Sequence, residues 1–271
     1  MRLVCCLVLL LASAAHAGEA EVPPAATAAP GWEFSFAPYL WAAGLEASVE
    51  AQGVTSDVDV SFSDIWDALD IGVLGVFEAR RGKLSMASNL IYMKLSTDAE
   101  QPVSPLLPVA PPGSFSIRTV TQTGILELRP AYEVLSLPLF GAADSRRIAL
   151  DLGPAARVFW LDEHLSVKLR PGAPVGPFSR RFDESTDWVD FVAAARVRAQ
   201  LGERIGLVVS GDYGGFDIGS SSHRTWSLAG FASYRLGEHW DLAAGWRTLE
   251  IDRGAVELEM AGPLIGAAYR F

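Results

Sequence analysis

The chain has 271 residues, half of them apolar and a fifth charged, with 32 acidic against 22 basic side chains and a formal net charge of −10. That acid excess would repel a phosphate backbone and excludes a nucleic-acid partner. Two cysteines, both within the first six residues, exclude a disulfide scaffold, and a 10% aromatic content excludes a disordered chain.

In chain order, Met1-Arg2 is a short basic start, followed by the apolar run Leu3–Ala12 and by Ala15-His16-Ala17, a small-x-small cleavage pattern. This reads as a signal peptide over 1–17, cut before Gly18. The apolar run is too short to span about 30 Å of hydrocarbon. Cys5 and Cys6 precede the run's end, where no lipoprotein cysteine would stand. The exported chain then has 254 residues, no cysteine and a net charge of −11. Residues 18–31, rich in Ala and Pro, read as a flexible periplasmic lead-in.

From Trp32 onward the pattern is alternation with period two, the mark of strands. In Thr119–Val134, Val120, Leu126, Leu128 and Tyr132 oppose Thr119, Thr121, Thr123, Glu127, Arg129 and Glu133. In Ile148–Trp160, Ile148, Leu150, Leu152, Val158 and Trp160 oppose Asp151 and Arg157. Val189, Phe191, Ala193, Ala195, Val197, Ala199 and Leu201 oppose Trp188, Asp190, Arg196, Arg198 and Gln200. The same alternation recurs in Arg224–Leu236 and Trp240–Trp246. A soluble β-sandwich also alternates, and three features decide against it. The strands are long, where globular strands average about 5–6 residues. Their apolar faces end in aromatics (Tyr132, Trp160, Trp226, Tyr234, Trp240, Trp246), as membrane-interface girdles require. Short connections (Arg81-Gly82, 202–204, 237–239) alternate with long ones (46–70, 97–114, 170–185). The expectation is an all-β, antiparallel up-and-down transmembrane barrel over 32–271 with both termini periplasmic, since lipid permits only a closed sheet. Its strands fall at about 32–47, 70–80, 83–96, 115–134, 147–168, 186–201, 205–218, 223–236, 240–252 and 256–271. That makes about ten, with eight and twelve as alternatives. Val54–Phe62 reads as a hairpin extension of the first outer loop, and Ser63–Leu69 as a helical turn capped by Ser63 or Asp64.

The chain ends Ala267-Ala-Tyr-Arg-Phe271, with Ile265, Ala267, Tyr269 and Phe271 on one face. This resembles the C-terminal strand of outer-membrane barrels, on which the resemblance implies recognition by the barrel-assembly machinery through Tyr269 and Phe271. Ala37-Pro-Tyr-Leu-Trp-Ala, Val58-Asp-Val-Ser-Phe-Ser-Asp-Ile-Trp-Asp-Ala-Leu-Asp and Phe77-Glu-Ala-Arg-Arg-Gly likewise resemble small outer-membrane β-barrel proteins of Gram-negative bacteria. That resemblance implies a barrel in contact with outer-membrane lipid and lipopolysaccharide. It implies no activity and no oligomeric state.

If the apolar face meets lipid, the other face fills the lumen. Its candidate lining is Glu78, Arg80, Glu127, Arg129, Asp151, Arg157, Asp190, Arg196, Arg198, Asp212, Asp241 and Arg247, with both signs in similar number. A barrel of about ten strands is little wider than one that side chains can fill. Opposite charges pairing across it would make a plug, and a narrow path for ions or small solutes is the other reading. The outer loop 46–70 carries seven acidic residues and no Lys or Arg. Its spacing matches no EF-hand loop, so it reads as a solvated acidic loop before a divalent-cation site. The outer loop 97–114, with five prolines, reads as a stiff surface loop. No cofactor and no metal is expected. The one enzyme-like arrangement is His164-Leu165-Ser166, a His-x-Ser pair of the kind lipid hydrolases of the outer membrane use, with His as general base. Val167 stands where that pattern has Asn, and no Gly-x-Ser-x-Gly is present. The leading expectation is a non-enzymatic barrel, structural or narrowly conducting. A lipid hydrolase and a soluble periplasmic sandwich are the alternatives.

Overall fold

A computed structural model describes residues 31–51, 54–103, 113–139, 146–170 and 178–271. The predicted signal peptide, residues 18–30 of the lead-in and most of the proline run lie outside the described residues. Twelve strands and one short helix follow in order. They are β1 (Glu33–Trp41), β2 (Gly44–Ala51), β3 (Val54–Val60), α1 (Phe62–Ala68), β4 (Leu69–Arg81), β5 (Leu84–Val103), β6 (Gly113–Pro138), β7 (Arg146–Arg170), β8 (Phe178–Leu201), β9 (Ile205–Gly215), β10 (Arg224–Arg235), β11 (Trp240–Arg253) and β12 (Val256–Arg270). From β4 to β12 each strand pairs antiparallel with the next, and β1 pairs with both β4 and β12. Ten strands therefore close into a barrel, and β2–β3 extend it as a hairpin on the outer end of β12. This closure excludes the sandwich alternative.

The outer wall is apolar. Ile205, Leu207, Val209 and Tyr213 on β9 are exposed while Val208, Ser210 and Asp212 point inward and are buried. The eight residue steps from Ile205 to Tyr213 cover about 26 Å along the strand. At a tilt of about 40° that is roughly 20 Å of height, close to the band a bilayer needs. Aromatics flank the band: Phe34, Tyr132, Tyr234, Trp240 and Phe271 at the end where β1 begins and β12 ends, Tyr213, Phe216 and Trp226 at the other. Trp160 lies across Gly124, where a Cβ would sit 2.0 Å from the indole, so this position admits only glycine. The last strand closes the barrel: the Phe271 N–H donates to the Phe34 carbonyl at 3.0 Å, and the Tyr269 ring meets Trp240 and Phe271.

Three elements differ from the sequence expectation. The predicted strand 32–47 breaks at Ala42–Ala43, where Gly262 of β12 lets the Ala42 carbonyl approach to within 2.2 Å of where a Cβ would lie. The ladder between β1 and β4 stops at Pro38↔Gly75, and on the other side the β1–β12 ladder skips Ala37 and Pro38, where the proline ring has no N–H to give to β12. Residues 69–74 of β4 thus pair with β5 alone, leaving a slit in the outer part of the wall. The helix cap is Ser61 rather than Ser63 or Asp64: Ser61 Oγ accepts from the Asp64 N–H at 3.3 Å. Finally, much of what reads as long loop at 97–114 and 170–185 is strand. β5 to β8 run 20, 26, 25 and 24 residues. Their outer parts pair in register from Thr97↔Thr119 to Leu169↔Phe178. Above the wall both faces meet water, so no apolar period exists there for alternation to report. The result is a four-stranded sheet standing above the barrel.

The barrel interior as candidate functional site

Period-two alternation sends Glu78, Glu127, Arg129, Asp151, Arg157, Asp190, Arg196, Arg198, Asp212, Asp241 and Arg247 inward, and the structure gathers nine of them into two groups. In the group nearer the termini, Asp151 accepts from Arg196 at 2.9 Å, from Arg198 at 2.9 and 3.0 Å and from Arg80 at 3.2 Å. Arg196 also forks onto both oxygens of Glu78, at 2.8 and 3.1 Å. Arg198 reaches Glu133 at 2.7 Å. In the second group Glu127 is the hub. It accepts from Arg157 Nε at 2.7 Å, Arg247 at 2.8 Å and Asn89 at 2.9 Å. Asp212 takes Arg157 and Arg129, each at 2.9 Å, and Thr225 Oγ1 accepts from Arg157. Unpaired, any of these charges would cost several kcal/mol in such surroundings. Six strands contribute to this second group, so its ion pairs tie opposite walls together.

The remaining two residues work at the ends. Asp190 accepts from the Ser222 N–H at 2.6 Å and from its hydroxyl at 2.9 Å, drawing the β9–β10 connection inward. Asp241 faces Arg270 at 3.2 Å and Arg235 at 3.6 Å, beside the closing strand. Glu133, Asn89, Thr225, Arg235 and Arg270 are absent from the sequence-derived set. The period places Glu133 on the polar face, but nothing in a single strand says which polar residues meet across a barrel.

Outward of the second charged group the interior turns apolar. Trp41, Ile91, Ile125, Phe159, Leu249, Ile251 and Met260 form a buried cluster there, with Trp188 stacked on Phe159 at 4.5 Å. Four of them lie two residues outward of a charged or polar inner-face neighbour: Ile125 of Glu127, Phe159 of Arg157, Leu249 of Arg247, Ile91 of Asn89. This layer is a correction to the simple division of apolar wall from polar lumen. Arg247 bridges the two zones, its guanidinium 5.2 Å from the Trp41 ring centre. Between the charged groups a cavity of about 100 Å³ remains, bordered by Tyr39, Asn89, Glu127, Arg129, Arg196 and Arg247. It has room for a few waters.

His164 and Ser166 lie on the raised part of β7. The His164 ring Nδ1 is 2.8 Å from Asp183 Oδ1, directly across on β8, and both side chains are exposed. Among the described residues Ser166 makes no hydrogen bond to that ring, so the base–nucleophile contact of a hydrolase is not formed. Of the acidic stretch, Glu46, Asp59 and Glu259 lie side by side in register across β3, β2 and β12. No group of residues with metal-site geometry occurs among the described residues.

No protein-family model and no curated protein matches the sequence. Among solved structures the chain is similar to the outer membrane protease OmpT of Escherichia coli, at 9% identity and a TM-score of 0.42, covering 89% of this chain and 96% of that one. It is similar to the attachment invasion locus protein Ail of Yersinia pestis, at 9% identity and 0.27, covering 89% and 97%. It is also similar to the toluene transporter TbuX of Ralstonia pickettii, at 8% identity and 0.27, covering 89% and 90%.

Proposed function

We propose that the protein is an exported, integral outer-membrane barrel, closed to solutes and non-catalytic, whose working surface is the sheet that β5–β8 raise above the wall. The observation that carries the closed reading is burial of the inward charges. Glu78, Asp151 and Arg157 are 1% exposed and Asp190 and Asp241 are 0% exposed. A water-filled path wide enough for an ion would wet the side chains that line it, and these are dry. The apolar layer outward of them adds a second closure. Lipid and lipopolysaccharide are the partners of the outer wall, and Tyr269 and Phe271, on the strand that closes the barrel, are the signal for the assembly machinery.

Planar-bilayer recording tests the closure. Folded protein inserted at 0.15 M salt should give no current steps, and reproducible steps from the wild type would overturn the reading. Outer-membrane fractionation followed by heat-modifiable migration on SDS gels tests the location. A hydrolytic role would require lipid cleavage that Ser166→Ala abolishes, and the wild type is expected to release no fatty acid.

A further inference from the structure

The raised sheet has open edges. Among the described residues β8 pairs with β9 only from Val192 downward, and Phe178–Phe191 have β7 on one side and no strand on the other. An edge of this length is a template for another strand. Proteins protect such edges with charged side chains, proline or a bulge. Here the edge reads Phe178-Ser-Arg-Arg-Phe-Asp-Glu-Ser-Thr186, with both signs present and in mirrored order. Antiparallel pairing with an identical edge about Phe182 sets Arg181 opposite Asp183, Arg180 opposite Glu184, and Phe182 opposite Phe182. Every charge then meets its opposite in the geometry in which cross-strand pairs are favourable.

Of these four charges, among the described residues, only Asp183 has an ion-pair partner within the chain, His164 Nδ1 at 2.8 Å. Among the described residues, Arg181 and Glu184 have no ion pair within the chain, and Glu184 stands opposite Glu163, a like charge, on β7. Phe182 is 48% exposed and Phe178 56% exposed, which is unusual for large apolar groups on the water-facing part of a strand. The Arg180 guanidinium already lies over the Phe182 ring at 5.1 Å. It is therefore placed on the same face as the ring and as the Glu184 it would meet.

Symmetry decides where the second copy sits. Antiparallel strands are related by a twofold axis perpendicular to them, and β8 rises out of the membrane. That axis lies nearer the membrane plane than its normal, so the two barrels face each other from opposed membranes. A copy in the same membrane, related by an axis along the normal, would offer β8 running the same way. Parallel pairing in register would then set Arg180 on Arg180 and Glu184 on Glu184. We propose that the β8 edge, centred on Phe182, joins this protein to a second copy of itself in an opposing membrane. The proposal rests on the membrane placement given above. Each contact is small, and many of them between two vesicles act together.

The test uses full-length protein reconstituted into phosphatidylcholine–phosphatidylglycerol vesicles at 0.15 M salt. Protease access to β8 from outside and heat-modifiable migration establish insertion for every sample, and failure at that step counts against the membrane placement rather than the contact. Wild-type vesicles should cluster, read as turbidity, at least tenfold faster than empty vesicles. R180E/R181E should fall to the empty-vesicle rate, and D183R/E184R likewise. Mixing the two variant populations should restore clustering, because each then carries the complement of the other. Phe182→Cys should form disulfides between differently labelled vesicle populations. Inserted wild type that does not cluster, swaps without effect, a mixture that stays dispersed, or disulfides confined to single vesicles would each overturn the proposal.

Discussion

Glu127→Ala is the sharpest probe of how the interior is held. Glu127 is buried and takes two guanidinium groups and the Asn89 amide at 2.7–2.9 Å, with Arg129 at 3.5 Å. The second group holds Arg129, Arg157 and Arg247 against Glu127 and Asp212, an excess of one positive charge. Removing Glu127 raises that excess to two. Arg157 keeps Asp212 and Thr225, but Arg247 keeps no hydrogen-bonded carboxylate within the group, only the Tyr39 hydroxyl and the Trp41 face. Breaking a buried pair from one side costs about 3–5 kcal/mol. With a urea slope of about 3 kcal/mol/M, the unfolding midpoint in detergent micelles should fall by roughly 1–1.7 M. Tryptophan fluorescence over a urea series reads this directly, and refolded samples should run as the heat-modified form at lower temperature. The variant should nevertheless stay non-conducting, because the apolar layer is untouched. A midpoint within 0.3 M of wild type, on the order of the uncertainty of such extrapolations, would refute the claim that these ion pairs tie the walls. Current steps from the single variant would refute the second closure.

The apolar layer has its own prediction: Phe159→Ala with Leu249→Ala should lower stability by about 5–10 kcal/mol if the two costs add. Adding Glu127→Ala to that pair should give the first measurable conductance of the series in planar bilayers. At Gly245→Ala the new methyl would lie 2.1 Å from the Gly230 carbonyl oxygen and 2.6 Å from the Phe231 Cα, both backbone. The β10–β11 ladder must shift, and a loss of about 1–3 kcal/mol is expected from the same urea series. On the raised sheet, the Arg118 hydrogen bond holds the Asp98 carboxyl below its ordinary value of 3.8. A lowered carboxylate value means the pair's contribution is complete above that ordinary value and disappears as pH falls through the lower, folded one. Protease cleavage of the β5–β6 tip should therefore be unchanged from pH 7 to 5 and quicken only below pH 4, and quickening already at pH 6 would contradict the assignment.

The barrel was legible in the sequence because the wall imposes one rule on many residues at once. Leu207, Val209 and Tyr213 must meet lipid while Asp212 cannot, and period two follows. The inward position of each charged side chain is legible for the same reason. Its partner is not: Glu127 and Arg247 are 120 positions apart, and only closure of the sheet brings them together. Ile125, Phe159 and Leu249 hid on the polar face as isolated apolar residues among charges, which a single strand gives no reason to group. The raised sheet escaped for the opposite reason. Residues 97–100 and 178–185 are exposed on both faces, and hydrogen bonding alone, with no apolar face, makes them strands. The proline-rich stretch between β5 and β6 drew the loop boundary too wide.

The slit beside β4 gives the wall unequal protection. From Gly75 to Arg80 the strand has a ladder on both sides, whereas from Leu69 to Leu74 it has one, with α1 touching β2 and β5 near the opening. Local breathing draws on such half-bonded stretches first. Amide exchange along β4 should accordingly split at Pro38's level, slow toward the termini and fast for the slit-facing amides outward of it. Any yielding of the cylinder under lateral pressure from the bilayer would start at that split, on one side only.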